Sequence, residues 1–479
     1  MELAQKAGRL KILGPASLIY AVFFTFCLYE NWSGITVPFA AAGTLVYFRT
    51  VSRNLFPEKI ETSGGWFLAA AIVLLGISSC LTDCSPVIFM NAAGGFLLLL
   101  VYVLHFYYPD AKWNVGQQLS SMFCAVFGAV GCLFAPFTDL AGQGGSEAER
   151  AMSGEEQAMC GSAEKKHSGN GRLIFIGIII TVPVLAVVLL LLSAADAVFG
   201  TGLKNIFGNL YVPENLPGIL LMTLFVFFAS YCGIVYLQKG GLRKESRMGS
   251  SEPLPFIVAS GAVLAVYLIF SAVQVIFLFL HRGSLPAHMT YAEYAHQGFY
   301  QLLAVCILNM LAAVVCTEHL RESKVLRRIL AGISLCTYVM LASAAYRMIL
   351  YIGAYDLTFL RLFVLFALAL LAVLMGGVMV SIFRPCFHLF RFALVTVTVL
   401  YLIFSFASPD YWIARYNLSA GNSDSLYFSE LSADSVPAYA GKNELPEEAK
   451  ETLAGRLRES GGDFRKFNFS RAAAEDILK

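Results

Sequence analysis

Ionisable and amide side chains at the rim of long apolar stretches are the places in this sequence where chemistry could be done. Inserting a charge at mid-membrane costs about 2.5–3.5 kcal/mol, so such residues face a bundle interior or a water-filled cavity. Glu293, Gln297 and Gln301 recur every four positions, with His296 and Tyr300 beside them, and descend into the apolar stretch 298–317, which carries Asn309 near its middle. Arg347 and Tyr351 end one apolar stretch, Asp356 lies in the short connection after it, and Arg361 begins the next. Asp410, Arg415 and Asn417 follow the last apolar stretch, Asp434 comes later, and Asp196 ends the stretch 173–195. Asn91 and Gln274 fall in the same halves of their stretches as these groups.

Two chemistries suit these types. Arg347, Arg361 and Arg415 could grip an anionic ligand such as a phosphate or lipid headgroup, because guanidinium groups bind such oxygens in bidentate fashion. Asp196, Glu293 or Asp410 could serve as acid or base beside them. Each has a plainer alternative. Thr290 and Glu293 have the spacing of a capping box, and a lone His296 at such a rim is more often a hydrogen-bonded structural residue than a base. With Thr358 as N-cap, Arg361 falls in a first helical turn, where a cation opposes the helix dipole by about 0.3–1 kcal/mol. Its compensating anion is then Asp356 or Asp410 in an internal ion pair, or a bound ligand. Arg347 can snorkel to headgroups.

The elements that position these residues follow from composition. The chain has 479 residues, 58% hydrophobic and only 14% charged, against about 25% charged in soluble domains. Its apolar runs of about 20 residues match a hydrocarbon core of roughly 30 Å. They lie near 12–29, 33–48, 64–82, 86–108, 173–195, 216–237, 254–280, 298–317, 329–350, 359–381 and 387–407. Basic residues crowd alternate connections: Arg49, Arg53 and Lys59; Lys239, Arg243, Lys244 and Arg247; Arg321, Lys324, Arg327 and Arg328; Arg384 and Arg391. The intervening connections carry almost none, Lys204 and Arg282 being the exceptions. By the positive-inside rule the N-terminus is cytoplasmic and, after about 11 spans, the C-terminus is extracytoplasmic.

A twelfth run, 115–136, would invert every later loop if it crossed. Its polar opening, Lys112, Asn114, Gln117 and Gln118, suits an interfacial or re-entrant helix. The expected fold is thus an all-α polytopic transmembrane bundle in four regions: an N-terminal membrane region 1–136, a disordered cytoplasmic linker 137–172 rich in Gly, Ser and Glu, a membrane core 173–407, and a small helical extracytoplasmic tail 408–479. In the tail a helix should open at Pro446 and run to about Ser460, and Ser470 should cap a last short one.

Eleven cysteines sit mostly inside apolar runs, with no CxxC or Cys/His pattern, so no metal, haem or other cofactor is implied. A Cys80–Cys84 bridge is disfavoured, since few such near neighbours have bridging geometry. No basic, aromatic-rich domain points to nucleic acid.

Three segments carry a family resemblance. Tyr291-Ala-Glu-Tyr-Ala-His-Gln-Gly-Phe-Tyr-Gln-Leu-Leu303 resembles a YAEY-x-x-x-GF-x-QLL signature. Tyr346-Arg-Met-Ile-Leu-Tyr-Ile-Gly-Ala-Tyr-Asp-Leu-Thr-Phe-Leu-Arg361 is similar to YR-x-x-LY-x-x-AYGLT-x-LR. The stretch from Ser408 to Val436 and Pro437 resembles a closing PD-x-x-IA-x-xN … YL-x-x-LS-x-DAVP pattern. These belong to the bacterial membrane domain-of-unknown-function families catalogued as 4153 and 4173. The resemblance runs from about residue 175 to the end and implies a bacterial cytoplasmic membrane location with no established activity. Arg347, Thr358, Arg361, Asp410, Asn417 and Asp434 match its patterns; Asp356 departs from a Gly and His296 from a common Arg.

Three functions are carried forward. The first is a scaffold or sensor that binds an anionic lipid or lipid-linked envelope component at an outward polar site. The second is an enzyme acting on a lipid-linked substrate at the outer face, although the first outer loop is only Glu30-Asn31-Trp32. The third is a transporter, which would need broken helices or internal repeats; neither pattern appears.

Overall fold

The computed structural model describes residues 2–55, 65–108, 113–140, 215–240, 242, 252–280, 299–320, 323–384, 386–421, 425–439, 447–459 and 463–478. Among them the regular elements are all helical. In chain order they are α1 (Glu2–Leu28), α2 (Thr36–Leu55), α3 (Gly65–Leu81), α4 (Ser85–Tyr107), α5 (Val115–Val130), α6 (Leu216–Gln238), α7 (Leu254–Leu280), α8 (Phe299–His319), α9 (Lys324–Tyr355), α10 (Phe359–Phe383) and α11 (Leu389–Phe406). The tail adds α12 (Pro409–Ser419), α13 (Ser425–Glu430), a 3-10 turn (Ala433–Tyr439), α14 (Glu447–Glu459), a second 3-10 turn (Phe464–Lys466) and α15 (Phe469–Leu478).

Eight described helices are long and apolar enough to cross a membrane: α1, α4 and α6 to α11. α3 and α5 are apolar but shorter. The sequence predicts about 11 spans; the run 173–195, most of the linker, Asp196, Glu293, His296 and Gln297 lie outside the described residues.

The helices alternate in direction between two ends. One end gathers the connections at 29–35, 82–84 and 356–358 and is covered by the tail. The other gathers Arg9, Arg53, Lys239, Lys324, Arg327, Arg328 and Arg384. Polar side chains tie the helices together across the apolar interior, where lipid offers no hydrophobic drive for association. Ser17 meets Tyr47 at 2.7 Å and Tyr20 meets Thr44 at 2.9 Å, joining α1 to α2. Asn91 on α4 accepts from Tyr401 and Ser405 on α11, at 2.8 and 2.9 Å. Asn309 on α8 accepts from Tyr267 on α7 and donates to Thr337 on α9, each at 3.0 Å. Gln274 accepts from Ser343 at 2.7 Å. Asn91, Asn309 and Gln274 therefore serve as interhelical ties.

Both ends of α5 touch the basic end. Val115 N–H donates to Glu318, at the end of α8, at 2.8 Å. Past the other terminus, Lys239 Nζ reaches Cys132 at 3.3 Å. The helix begins with the Asn114–Gln117 capping box and, at 16 residues, is shorter than the eight long apolar helices. Shortly after it, Asp139 is fully buried and receives Arg9 Nε at 2.7 Å, Arg9 Nη2, and Tyr231 Oη at 2.7 Å. Residues 137–140, assigned from composition to the linker, are thus part of the packed structure. Composition could not show this, because one buried carboxylate does not alter a Gly/Ser/Glu-rich average. The cysteines among the described residues are free thiols, Cys80 and Cys84 included.

The tail has a small core of its own, in which Val436 packs with Leu453, Leu457 and Ala474. Its first long helix falls where Pro446 predicts it. The last is capped by Asn468, whose Oδ1 accepts from the N–H groups of Ser470 and Arg471 at 2.9 and 3.2 Å. Ser470, the residue expected to cap, turns its hydroxyl to Asp434 instead.

Candidate functional site

The tail is fastened to the ends of α1 to α4 by buried polar groups. Asp434 accepts from Thr82 Oγ1, Ser470 Oγ and, at 2.8 Å, Asp83 N–H. Burial pushes its pKa above the ordinary carboxylate range, while these donors pull it back. Asp83 accepts from Arg471 Nε at 2.6 Å. Asn468 Nδ2 donates to the carbonyls of Ser33 and Thr82, each at 2.9 Å. Asn31 Nδ2 donates to the Arg465 carbonyl at 2.9 Å. The fit is close: a Cβ on Gly34 would stand 1.9 Å from that carbonyl oxygen.

On the neighbouring helices, Asn417 clamps both backbone groups of Leu357, accepting at 2.8 Å and donating at 2.9 Å. Asp410 accepts from the N–H and hydroxyl of Ser432 at 3.2 and 2.5 Å. Three residues singled out in the sequence are therefore buried structural groups: Asn417 and Asp434 dock the tail, and Asp410 ties α12 to Ser432 within it. Their partners lie up to 352 positions away, so no local spacing could assign them this work. Nor could it single out Asp83, Asn468 or Arg471.

Arg361 is placed differently. Its Nη1 donates to the carbonyls of Tyr355 and Asp356, and its Cζ lies 4.2 Å from the Tyr351 ring centroid. The cation in the first turn of α10 is thus offset by the negative C-terminal end of α9, whose last carbonyls lack helical partners. This replaces the expected ion pair with Asp356 or Asp410: main-chain oxygens supply the counter-dipole. Thr358 stands at the N-cap position of α10, but its hydroxyl makes no capping bond.

Around Arg361 a small pocket of about 130 Å³ is lined by Tyr300, Met348, Tyr351, Thr358, Leu360 and Val364, among others. Tyr300 and Leu360 are exposed, so the wall is apolar on the side lipid would occupy. Among the described residues, hydrogen bonds from Arg361 leave by Nη1, with Nε and Nη2 on the remaining edge of the guanidinium. Arg347 is half-buried on α9, one turn before Tyr351, and Gln301 is exposed on α8. Arg415 lies apart on an exposed part of α12, donating to Tyr411 Oη at 2.9 Å. The structure brings Arg361 and Tyr351 together and leaves Arg415 elsewhere.

Asp356 has φ 65° and ψ 173°, a region that favours glycine and costs other residues about 1–3 kcal/mol. The Gly of the signature pattern at this position has a backbone reason. We expect Asp356→Gly to raise the thermal midpoint by the equivalent of about 1 kcal/mol and Asp356→Val to lower it, since a β-branched residue tolerates this backbone least. Melting of both purified variants checks this; a lower midpoint for the Gly variant would refute it.

Apolar helices that alternate in direction, joined by polar ties and covered at one end by a polar tail, define a multi-pass membrane protein. The chain belongs to the family described as Domain of unknown function (DUF4153), whose model matches residues 69–441. That match begins in α3, well ahead of the three signature segments. No curated protein and no solved structure matches the chain.

Proposed function

We propose that this protein is a scaffold or sensor of a bacterial cytoplasmic membrane that holds an anionic envelope component, a lipid or lipid-linked phosphate, at its tail-covered outer end. Lysine and arginine placement supports the orientation, with the N-terminus inside and the tail outside. Alternation of the described helices between the two ends supports about 11 crossings, α2 and the 17-residue α3 among them.

The observation that carries the binding reading is the Arg361 pocket. Its guanidinium is fixed by the carbonyls ending α9, stacked on Tyr351 and bordered by apolar walls. That arrangement suits a phosphate whose chains continue into lipid. An enzyme would need a carboxyl able to move a proton beside this arginine, and Asp410 is already engaged by Ser432. A polar transport path through Asn309 is disfavoured by its ties to Tyr267 and Thr337.

The test is binding of labelled phosphatidylglycerol to purified wild type and Arg361→Ala. Loss of a charge-assisted contact worth about 1.5–3 kcal/mol should weaken binding roughly tenfold or more. Equal binding removes the proposal.

A further inference from the structure

A second cavity, separate from the Arg361 pocket, lies between the tail and the α1–α2 connection. It has a volume of about 770 Å³ and is lined by Glu30, Trp32, Phe89, Asp463, Lys466 and Arg471, among others, within the range of roughly 300–1,000 Å³ typical of small-molecule sites. It has two kinds of wall. Trp32 and Phe89 are large apolar residues left 67% and 73% exposed, and Phe89 stands near the start of α4, where that span enters its apolar run. An indole so placed suits a membrane interface, and the phenyl ring offers apolar surface beside it.

The rest of the lining carries charges of both signs. Asp463 is held by Arg465 at 2.6 Å and Arg471 by Asp83 at 2.6 Å. Lys466 and Glu30 are only loosely paired, at 3.9 Å, with their side chains 35% and 51% exposed. An exposed pair this long contributes little to stability, so both groups can exchange each other for a ligand.

We propose that this cavity binds the headgroup of a zwitterionic aminophospholipid. Lys466, backed by Arg471, takes the phosphate, and Glu30 accepts from the primary ammonium. Trp32 and Phe89 lie along the glycerol and the first acyl carbons. Nothing in this assignment requires Arg361. A primary ammonium donates hydrogen bonds to Glu30, whereas a quaternary one has no N–H to give, and a glycerol headgroup has no cation to offer.

The experiment uses the full chain reconstituted in vesicles of phosphatidylcholine in which a fraction is replaced by brominated phosphatidylethanolamine, phosphatidylcholine or phosphatidylglycerol. Quenching is assigned to Trp32 by difference from Trp32→Phe. Phosphatidylethanolamine should quench Trp32 about threefold to fivefold more effectively than either rival, the worth of one exposed charge pair. Glu30→Gln should abolish that preference, and Lys466→Gln should reduce quenching by phosphatidylethanolamine, with the tail still protease-resistant in both. Arg361→Ala should keep the preference, which separates this site from the one under Proposed function. Equal quenching by all three lipids, preference for phosphatidylglycerol, or a preference unchanged in Glu30→Gln each overturns the assignment.

Discussion

Asp139→Ala should destabilise the protein by about 3–5 kcal/mol, the usual result of removing one partner of a buried ion pair. Asp139 has a fully buried side chain and collects Arg9 through two nitrogens and Tyr231 through its hydroxyl. Without it, the Arg9 side chain, 18% exposed, would keep, among the described residues, Gln238 at 3.3 Å and the nearby Tyr231 hydroxyl. The loss falls where α1, α6 and the segment after α5 meet. Thermal unfolding in detergent measures it, with Gln238→Ala as a control expected to cost under about 1 kcal/mol. The double variant Arg9→Met with Asp139→Leu should recover most of the loss, because apolar replacement of a buried pair is often neutral. An unchanged midpoint for Asp139→Ala would show that this pair does not hold the basic end together.

Asp434→Ala should release the tail. Its carboxylate is the common acceptor for Thr82, Asp83 and Ser470, on two otherwise separate parts of the chain. Deleting it strands those three donors in a buried seam, where a hydrogen bond to a charged group contributes about 1.5–3 kcal/mol and water that enters the gap recovers part of the loss. We expect a net loss of roughly 3 kcal/mol in docking, read as faster proteolysis of residues 408–479 with the helix bundle intact. Asp434→Asn keeps an oxygen for Asp83 and Ser470 and should stay within about 1 kcal/mol of wild type.

The pH dependence separates these variants. Burial raises the Asp434 pKa, so the proton-linked part of docking is fully present below the unfolded carboxyl value and is lost as pH rises through the raised folded value, while the three hydrogen bonds to the carboxylate remain. The Asn variant should lack that part of the profile. Equal proteolysis rates for wild type and Asp434→Ala would remove the latch reading.

Much of the layout was legible locally. Runs of Leu, Val, Phe and Ala fixed helices within a few residues of α4, α6, α7 and α10, and Pro446 with its following acids marked α14. For Arg361 the sequence shows that a cation in a first turn needs compensation, from Asp356 or Asp410 or from an anionic ligand. The fold adds the carbonyl end of α9, which the sequence could not show because backbone acceptors at a helix terminus carry no residue-type signal. Asp410, Asn417 and Asp434 stood out as costly polar groups; the fold uses Asn417 and Asp434 to dock the tail and Asp410 to brace it internally.

By itself, then, the sequence determined an all-helical membrane chain, a basic end, an alternate set of loops nearly free of lysine and arginine, and a polar tail, since hydrophobicity and charge are properties of consecutive residues. Only the tertiary structure decided that Asp139 is a buried anchor, that the tail is latched to the first four helices, and that Arg361 lines a pocket with Tyr351 while Arg415 lies apart. Those outcomes depend on which groups satisfy one another across hundreds of positions, and a buried donor or acceptor is assigned only when its partner's place in space is known.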